Sequence, residues 1–250
     1  MEVGVVQVNT RAQWISLWLT AFFGAILLGA FAAFPGFWPP MSPELSAQEV
    51  AAFYAENSAM IRFSMITFNL CAIMLVPFFM TIVVQMKRMK TPSHVFAYSY
   101  LAAVATGSTL FAIADIFWLV AAFRPERDPE LTLLLNDMAW LIFIAPVGMI
   151  VVQNLSLALG IYFDARTQPV FPRWVAHLAI LAAAVMTPAV CAVIFTSGPL
   201  AWNGVISFWC RLGAFALFLV VMFVALRRAI RQQETEQAEG SAELEPAVAQ

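Results

Sequence analysis

Charged side chains are scarce in this 250-residue chain: Asp, Glu, Lys and Arg make up 11% of it, against roughly a quarter in a soluble domain. That scarcity excludes an ordinary water-soluble fold, and the formal net charge of −2 leaves no electrostatic case for nucleic acid as a partner. Histidine occurs twice and cysteine three times. His94 and His177 sit at the ends of apolar segments with no thiolate or carboxylate set around them. Paired axial ligation of a haem would need these two to face each other, and their spacing does not support it. Cys71, Cys191 and Cys210 lie inside apolar stretches without a CxxC spacing, as small buried hydrophobes do. The chain has no Gly-rich phosphate loop, no GxSxG, no HExxH and no histidine boxes. Neither a metal site nor a cofactor is therefore expected.

Long apolar runs are what the chain has instead. Hydrophobic residues are 62% of the total, with 22 Phe and 8 Trp. About 20 apolar residues of helix cross a bilayer core of about 30 Å. Six segments meet that length: 14–34, 60–84, 95–122, 137–162, 174–195 and 205–226. The sequence predicts an all-α, polytopic integral membrane bundle of six transmembrane helices. None of the six contains Lys, which excludes a retinal Schiff base, and there is no regular Arg ladder or inverted repeat.

Basic residues alternate between the connections. Arg11, Lys87, Arg88, Lys90, Arg166, Arg173, Arg227, Arg228 and Arg231 fall on one side, while only Arg124 and Arg127 lie in loops on the other. The positive-inside rule then places both termini in the cytoplasm. The Ala-rich composition suits the plasma (inner) membrane of a bacterium, with the lipid bilayer as the first partner. Pro35-Gly36 is a poor signal-peptidase context, so the first segment reads as a retained span. Residues 1–231 form the transmembrane domain. Residues 232–250, with five Glu and no Lys or Arg, read as an acidic disordered cytoplasmic tail.

The loops carry their own signals. In the first, Trp38-Pro39-Pro40 precedes Ser46 and Glu49, spaced as a capping box. Val50, Phe53 and Tyr54 share one helical face behind it, and Glu49 and Glu56 another, which predicts a short amphipathic helix on the outer interface or over the bundle. The second, 124–130, alternates charge between prolines and predicts local ion pairs. The third, 197–204, predicts a turn with an interfacial Trp202. Pro77, Pro146 and Pro188 interrupt three spans. Ala103 with Gly107, and Ser156 with Gly160, predict close helix contacts. Gln153 and Asn154 are expected to hydrogen-bond to neighbouring helices.

Four charges interrupt or flank these spans: Arg62, Asp115, Asp137 and Arg211. Each costs about 2.5–3.5 kcal/mol in hydrocarbon on insertion scales, so they need partners or water. All four fall in the outer half of the predicted bundle, with Asp115 and Arg211 about 10 Å in from the helix ends. Asn69 stands seven residues from Arg62, Ser108 seven from Asp115, and Ser207 one turn from Arg211, which makes polar stripes facing inward.

Two readings follow. In one, Arg62, Asn69 and Arg211 line an outward cavity that binds a carboxylate, phosphate or sulfate, and Asp115 or Asp137 serves as acid, base or proton carrier. In the other, two interhelical ion pairs orient the bundle. The function classes these support are binding or transport of a small amphiphilic or lipid-like anion, a cofactor-independent isomerase or cyclase with Asp115 or Asp137 as proton donor, and an accessory subunit of a membrane complex. Whether a protein partner or a second copy of the chain is needed is not legible in the sequence.

Overall fold

The computed structural model describes residues 10–248, with side chains as far as residue 241. Helix accounts for 78% of the chain, and no strand occurs among the described residues. Eight α-helices follow in order: α1 (Arg11–Ala33), α2 (Ala47–Ile73), α3 (Val76–Lys87), α4 (Val95–Phe123), α5 (Pro129–Ile144), α6 (Gly148–Tyr162), α7 (Arg173–Met186) and α8 (Arg211–Val248). A 3-10 stretch, Thr187–Val193, extends α7, and a π-helical turn, Val205–Cys210, leads into α8. Together they form six segments long and apolar enough to cross a membrane: Arg11–Ala33, Ala47–Lys87, Val95–Phe123, Pro129–Tyr162, Arg173–Val193 and Val205–Ser241.

The prolines explain why eight α-helices make six segments. Pro77 lies in the first turn of α3, where its missing N–H costs nothing, and α2 ends just before it. Pro146 separates α5 from α6, and Pro188 marks the change from α7 to the 3-10 stretch. Each break is local, so the polypeptide continues in the same direction across it.

The Ser46 capping box forms. The Ser46 N–H and hydroxyl both donate to Glu49 Oε2, at 2.8 and 2.7 Å, and the Glu49 N–H donates to Ser46 Oγ at 3.4 Å. The helix it opens runs unbroken to Ile73, so residues 47–59 are the first turns of the second span. In the second loop the expected ion pairs do not form. Arg127 donates to the Val120 carbonyl at the end of α4, and Asp128 accepts from the Glu130 and Leu131 N–H groups as the N-cap of α5. Helix ends leave unpaired backbone groups, and these charges satisfy them. Trp202 is buried against the protein: its indole N–H donates to the Met41 carbonyl at 2.9 Å and its ring stacks on Trp140. A methyl group on Gly204 would strike the Pro199 carbonyl, which itself accepts from the Ile206 and Ser207 N–H groups.

Two apolar clusters fill the bundle. The basic-end cluster includes Leu17, Phe78, Ile82, Tyr100, Phe171, Val175, Phe218 and Met222. At the aromatic end are Phe31, Phe34, Phe37, Phe68, Trp118, Trp140, Trp202 and Phe208. Leu27 packs against both. Small residues allow the close approaches expected of them: Gly107 faces Met149, and Gly160 faces Met86 and Met89.

The disordered tail expected for residues 232–250 is not what the described part shows. Helix α8 continues to Val248, Gln233 is buried, and Glu234 and Glu236 are fixed by hydrogen bonds. Glu, Gln and Ala are good helix formers, and Glu236 meets two arginines, Arg88 and Arg166, while Glu234 accepts from Thr10 and Trp14. The acidic segment as far as Glu236 therefore packs on the basic end of the bundle.

Candidate functional site

The aromatic end is organised around a loop that turns back into the bundle. After α1, Gly36 takes φ 78°, the left-handed region that suits glycine, and the Met41 N–H donates to its carbonyl at 2.6 Å. This turn drives Phe37 into the core, where it is fully buried. Ring centroids surround it at 4.4 Å (Phe31), 4.6 Å (Phe34), 4.8 Å (Trp140), 5.2 Å (Trp118) and 5.6 Å (Phe143). Read along the sequence, Phe37 is merely the first residue of an external loop. Nothing in a hydropathy pattern distinguishes it as the hub.

The charged residues border this core. Asp115, on α4, is fully buried. Its Oδ2 accepts from Asn69 Nδ2 at 3.4 Å, linking α2 to α4, while its Oδ1 has no hydrogen-bond partner. One turn on, the Trp118 indole N–H also lacks a partner, as does the buried Ser64 hydroxyl. Unpaired buried polar atoms are costly and uncommon in native proteins, so three of them on neighbouring turns of α2 and α4 are informative.

Arg211 begins α8. Its Cζ lies 5.4 Å from the centre of the Phe143 ring, and its Nε is buried without a partner. Phe143 in turn sits 5.5 Å from Trp118, 5.8 Å from Phe111 and 6.4 Å from Phe68. The ring that carries the guanidinium therefore belongs to the aromatic wall built by α2 and α4, the helices that carry Asn69 and Asp115.

Arg62 and Asp137 stand in separate settings. The Arg62 guanidinium donates to the Ser58 carbonyl at 3.2 Å and the Ser58 hydroxyl at 3.5 Å, one turn back on its own helix. Asp137 Oδ1 is buried without a partner. Its neighbour Asn136 accepts from the buried Tyr54 hydroxyl at 2.9 Å. No two of the four charged residues form an ion pair, which overturns the expectation of two interhelical pairs. The polar stripes also resolve locally: Ser108 donates to the Val104 carbonyl and Ser207 to the Leu200 carbonyl. In a low-dielectric interior a hydroxyl reaches the nearest carbonyl first.

A second polar centre, at the basic end, was not legible as such. Gln13, Gln85 and Gln233 are buried and joined, with Gln85 Nε2 donating to Gln13 Oε1 at 2.6 Å and to Gln233 Oε1 at 2.9 Å. Arg88 donates to Gln85 Oε1 and to Glu236 Oε2, and Arg166 donates to Glu236 Oε1. Burial draws the Arg88 guanidinium below its usual range, and Glu236 opposes that shift. Asp164 accepts from the Lys90, Arg166 and Val170 N–H groups. The signal was a lone Gln in an apolar run at Gln85, answered by Gln13 and Gln233 from opposite ends of the chain.

Of the expected inner amides, Gln153 donates to the Tyr100 hydroxyl on α4, whereas Asn154 turns to the Ile150 carbonyl of its own helix. The three cysteines are free, and His177 lies edge-on to Tyr162. Among the described residues, no three His, Cys, Asp or Glu side chains gather as metal ligands. No protein-family model, curated protein or solved structure matches the chain.

Proposed function

We propose that the protein binds or moves a small amphiphilic or lipid-like anion at the aromatic end, with that end on the non-cytoplasmic side of a bacterial inner membrane. The concentration of Lys and Arg at the opposite end supports this orientation. The observation that carries the reading is Arg211: its guanidinium rests on an aromatic ring, its Nε is buried and unpaired, and no carboxylate among the described residues pairs with it. Arginine matches carboxylate and phosphate oxygens with a planar fork, and the rings of Phe143, Phe111, Phe68 and Trp118 suit an apolar tail. Arg62 adds a second cation at this end. Asp115, with one oxygen held by Asn69 and the other unpaired, is the group to carry a proton with the anion.

The test uses oleate as probe and oleyl alcohol as its uncharged counterpart. Binding to the protein in neutral detergent is followed by tryptophan fluorescence, since Trp118 and Trp140 border the site. Saturable oleate binding that weakens about tenfold or more in Arg211→Gln is the expected result, a loss in the range of one charge-assisted hydrogen bond. Equal binding of acid and alcohol would overturn it.

The unpaired Asp115 oxygen also favours a second reading, proton donation to an apolar substrate by a cofactor-independent isomerase or cyclase. Turnover in detergent, with no transmembrane gradient, separates that reading from transport.

A further inference from the structure

At the basic end, two arginines from separate connections converge on one carboxylate. Arg88 follows α3, and Arg166 lies between α6 and α7. Arg88 donates to Glu236 Oε2 at 2.8 Å and Arg166 donates to Oε1, so each carboxylate oxygen receives its own guanidinium. Gln232, one turn earlier on α8, donates to the same Oε1 at 3.0 Å. The Arg88, Arg166 and Glu236 side chains are 15%, 23% and 33% exposed, so the anion is sheltered yet within reach of water. Among the described residues, neither arginine forms an ion pair with any other carboxylate.

The two arginines are positioned by bonds that do not involve α8. The Ala165 N–H donates to the Lys90 carbonyl at 3.1 Å, and Arg166 Nη1 donates to the Arg88 carbonyl at 3.2 Å. Asp164 acts on Arg88 only through space, because its oxygens accept from the Lys90, Arg166 and Val170 N–H groups. Gln85 Oε1 accepts from Arg88. Helix α8 adds Glu236, Gln232 and the Ala229 carbonyl, which accepts from Arg88 at 3.1 Å. In the same turn, Gln233 closes over the Gln13 and Gln85 amides. The seat for the anion thus belongs to the 88–90 and 164–170 segments, whereas the anion in it belongs to α8.

We infer that Arg88 and Arg166 form a binding site for a phosphate monoester, and that Glu236 is a latch occupying it. A monoester displaces Glu236, and the last turns of α8 then leave Gln13 and Gln85. Guanidinium forks hold phosphate and carboxylate oxygens alike. A phosphate monoester carries a charge of about −1.5 to −2 and three acceptor oxygens near neutral pH, against one charge and two oxygens for Glu236. Tethering favours Glu236, but a group on a short tether competes at an effective concentration on the order of millimolar. A monoester at millimolar concentration therefore shifts the balance. A free carboxylate has the tether against it and no extra charge in its favour. The site is at the opposite end of the bundle from Asp115 and Arg211, so it stands whether or not the aromatic end binds an anion.

The test is hydrogen exchange of the full chain in neutral detergent. The probes are two monoesters, glycerol 3-phosphate in solution and dioleoyl phosphatidic acid in the micelle, against sodium chloride and sodium acetate at the same ionic strength. The expected result is exchange over residues 229–241 that rises several-fold with a monoester and not with the controls. A rise with glycerol 3-phosphate assigns the ligand to solution, and a rise with phosphatidic acid alone assigns it to the bilayer. Calorimetry supplies a second measurement. Glu236→Gln removes the competing carboxylate, so the responding monoester binds this variant about tenfold or more tightly than the wild type, and Arg166→Gln in that background abolishes the gain. An ion pair with a structural role alone would give a loosened variant with no gain in binding. Unchanged exchange with both monoesters, an equal rise with chloride or acetate, or no saturable binding to the folded Glu236→Gln variant would overturn the inference.

Discussion

The Arg211 guanidinium carbon lies 5.4 Å from the centre of the Phe143 ring, and no carboxylate among the described residues pairs with it. A cation over a ring face gains about 0.5–2 kcal/mol, less than the several kcal/mol that desolvating an ion costs. The ring therefore compensates only part of the cost of the buried Arg211 Nε.

Replacing Arg211 by Met should reveal that imbalance. Met keeps contact with Phe143 and removes the charge. The expected outcome is a melting temperature in detergent equal to or above that of the wild type, together with loss of oleate binding. A large fall in melting temperature would mean that Arg211 has a structural role instead.

Asp115→Asn separates charge from shape at the deepest acid. Asn69 can still bond to the new amide, and an unpaired carboxylate disappears, so stability should hold or rise by about 1 kcal/mol. In proteoliposomes loaded with a pH-sensitive dye, oleate-driven proton movement should fall to the rate of protein-free vesicles. Normal proton movement would remove Asp115 from that role.

Phe37→Ala should be among the most damaging single changes. The side chain is fully buried against five rings, and deleting such a group costs about 3–5 kcal/mol. Thermal unfolding of the detergent-solubilised protein measures it. Trp38→Ala is the control, since Trp38 is largely exposed and should cost far less.

Glu236→Gln should loosen the basic end. One carboxylate receives Arg88 and Arg166, and the substitution removes its charge from both. Because a third of the Glu236 side chain is exposed, the expected loss is about 1 kcal/mol, modest for a paired group. Hydrogen exchange should rise over the last turns of α8 and the 163–172 connection, with the aromatic end unaffected. Unchanged exchange would show that the Gln13, Gln85 and Gln233 network holds α8 without it.

Much of this architecture is legible along the chain. Six apolar stretches, the Ser46–Glu49 cap and the helix breaks at Pro77, Pro146 and Pro188 all follow from properties within a few turns of one helix. So did the choice of Asp115, Asn69 and Arg211 as polar intruders. The same reading could not tell that Ser108 and Ser207 would turn to nearby carbonyls, or that Arg127 would cap α4 rather than pair with an acid.

Hydropathy and helical period are local, and the bilayer's demand for satisfied backbone groups turns them directly into spans. Pairing between side chains is not local. It depends on how each helix is rotated and how far it is shifted against its neighbours. That is why Asp115 meets Asn69 but neither arginine, why Phe37 becomes the hub of the surrounding rings only once the 34–41 turn folds inward, and why the acidic segment as far as Glu236 is a docked helix. Glu236 reads as a solvated residue until α8 brings it to Arg88 and Arg166, more than sixty positions away in the chain.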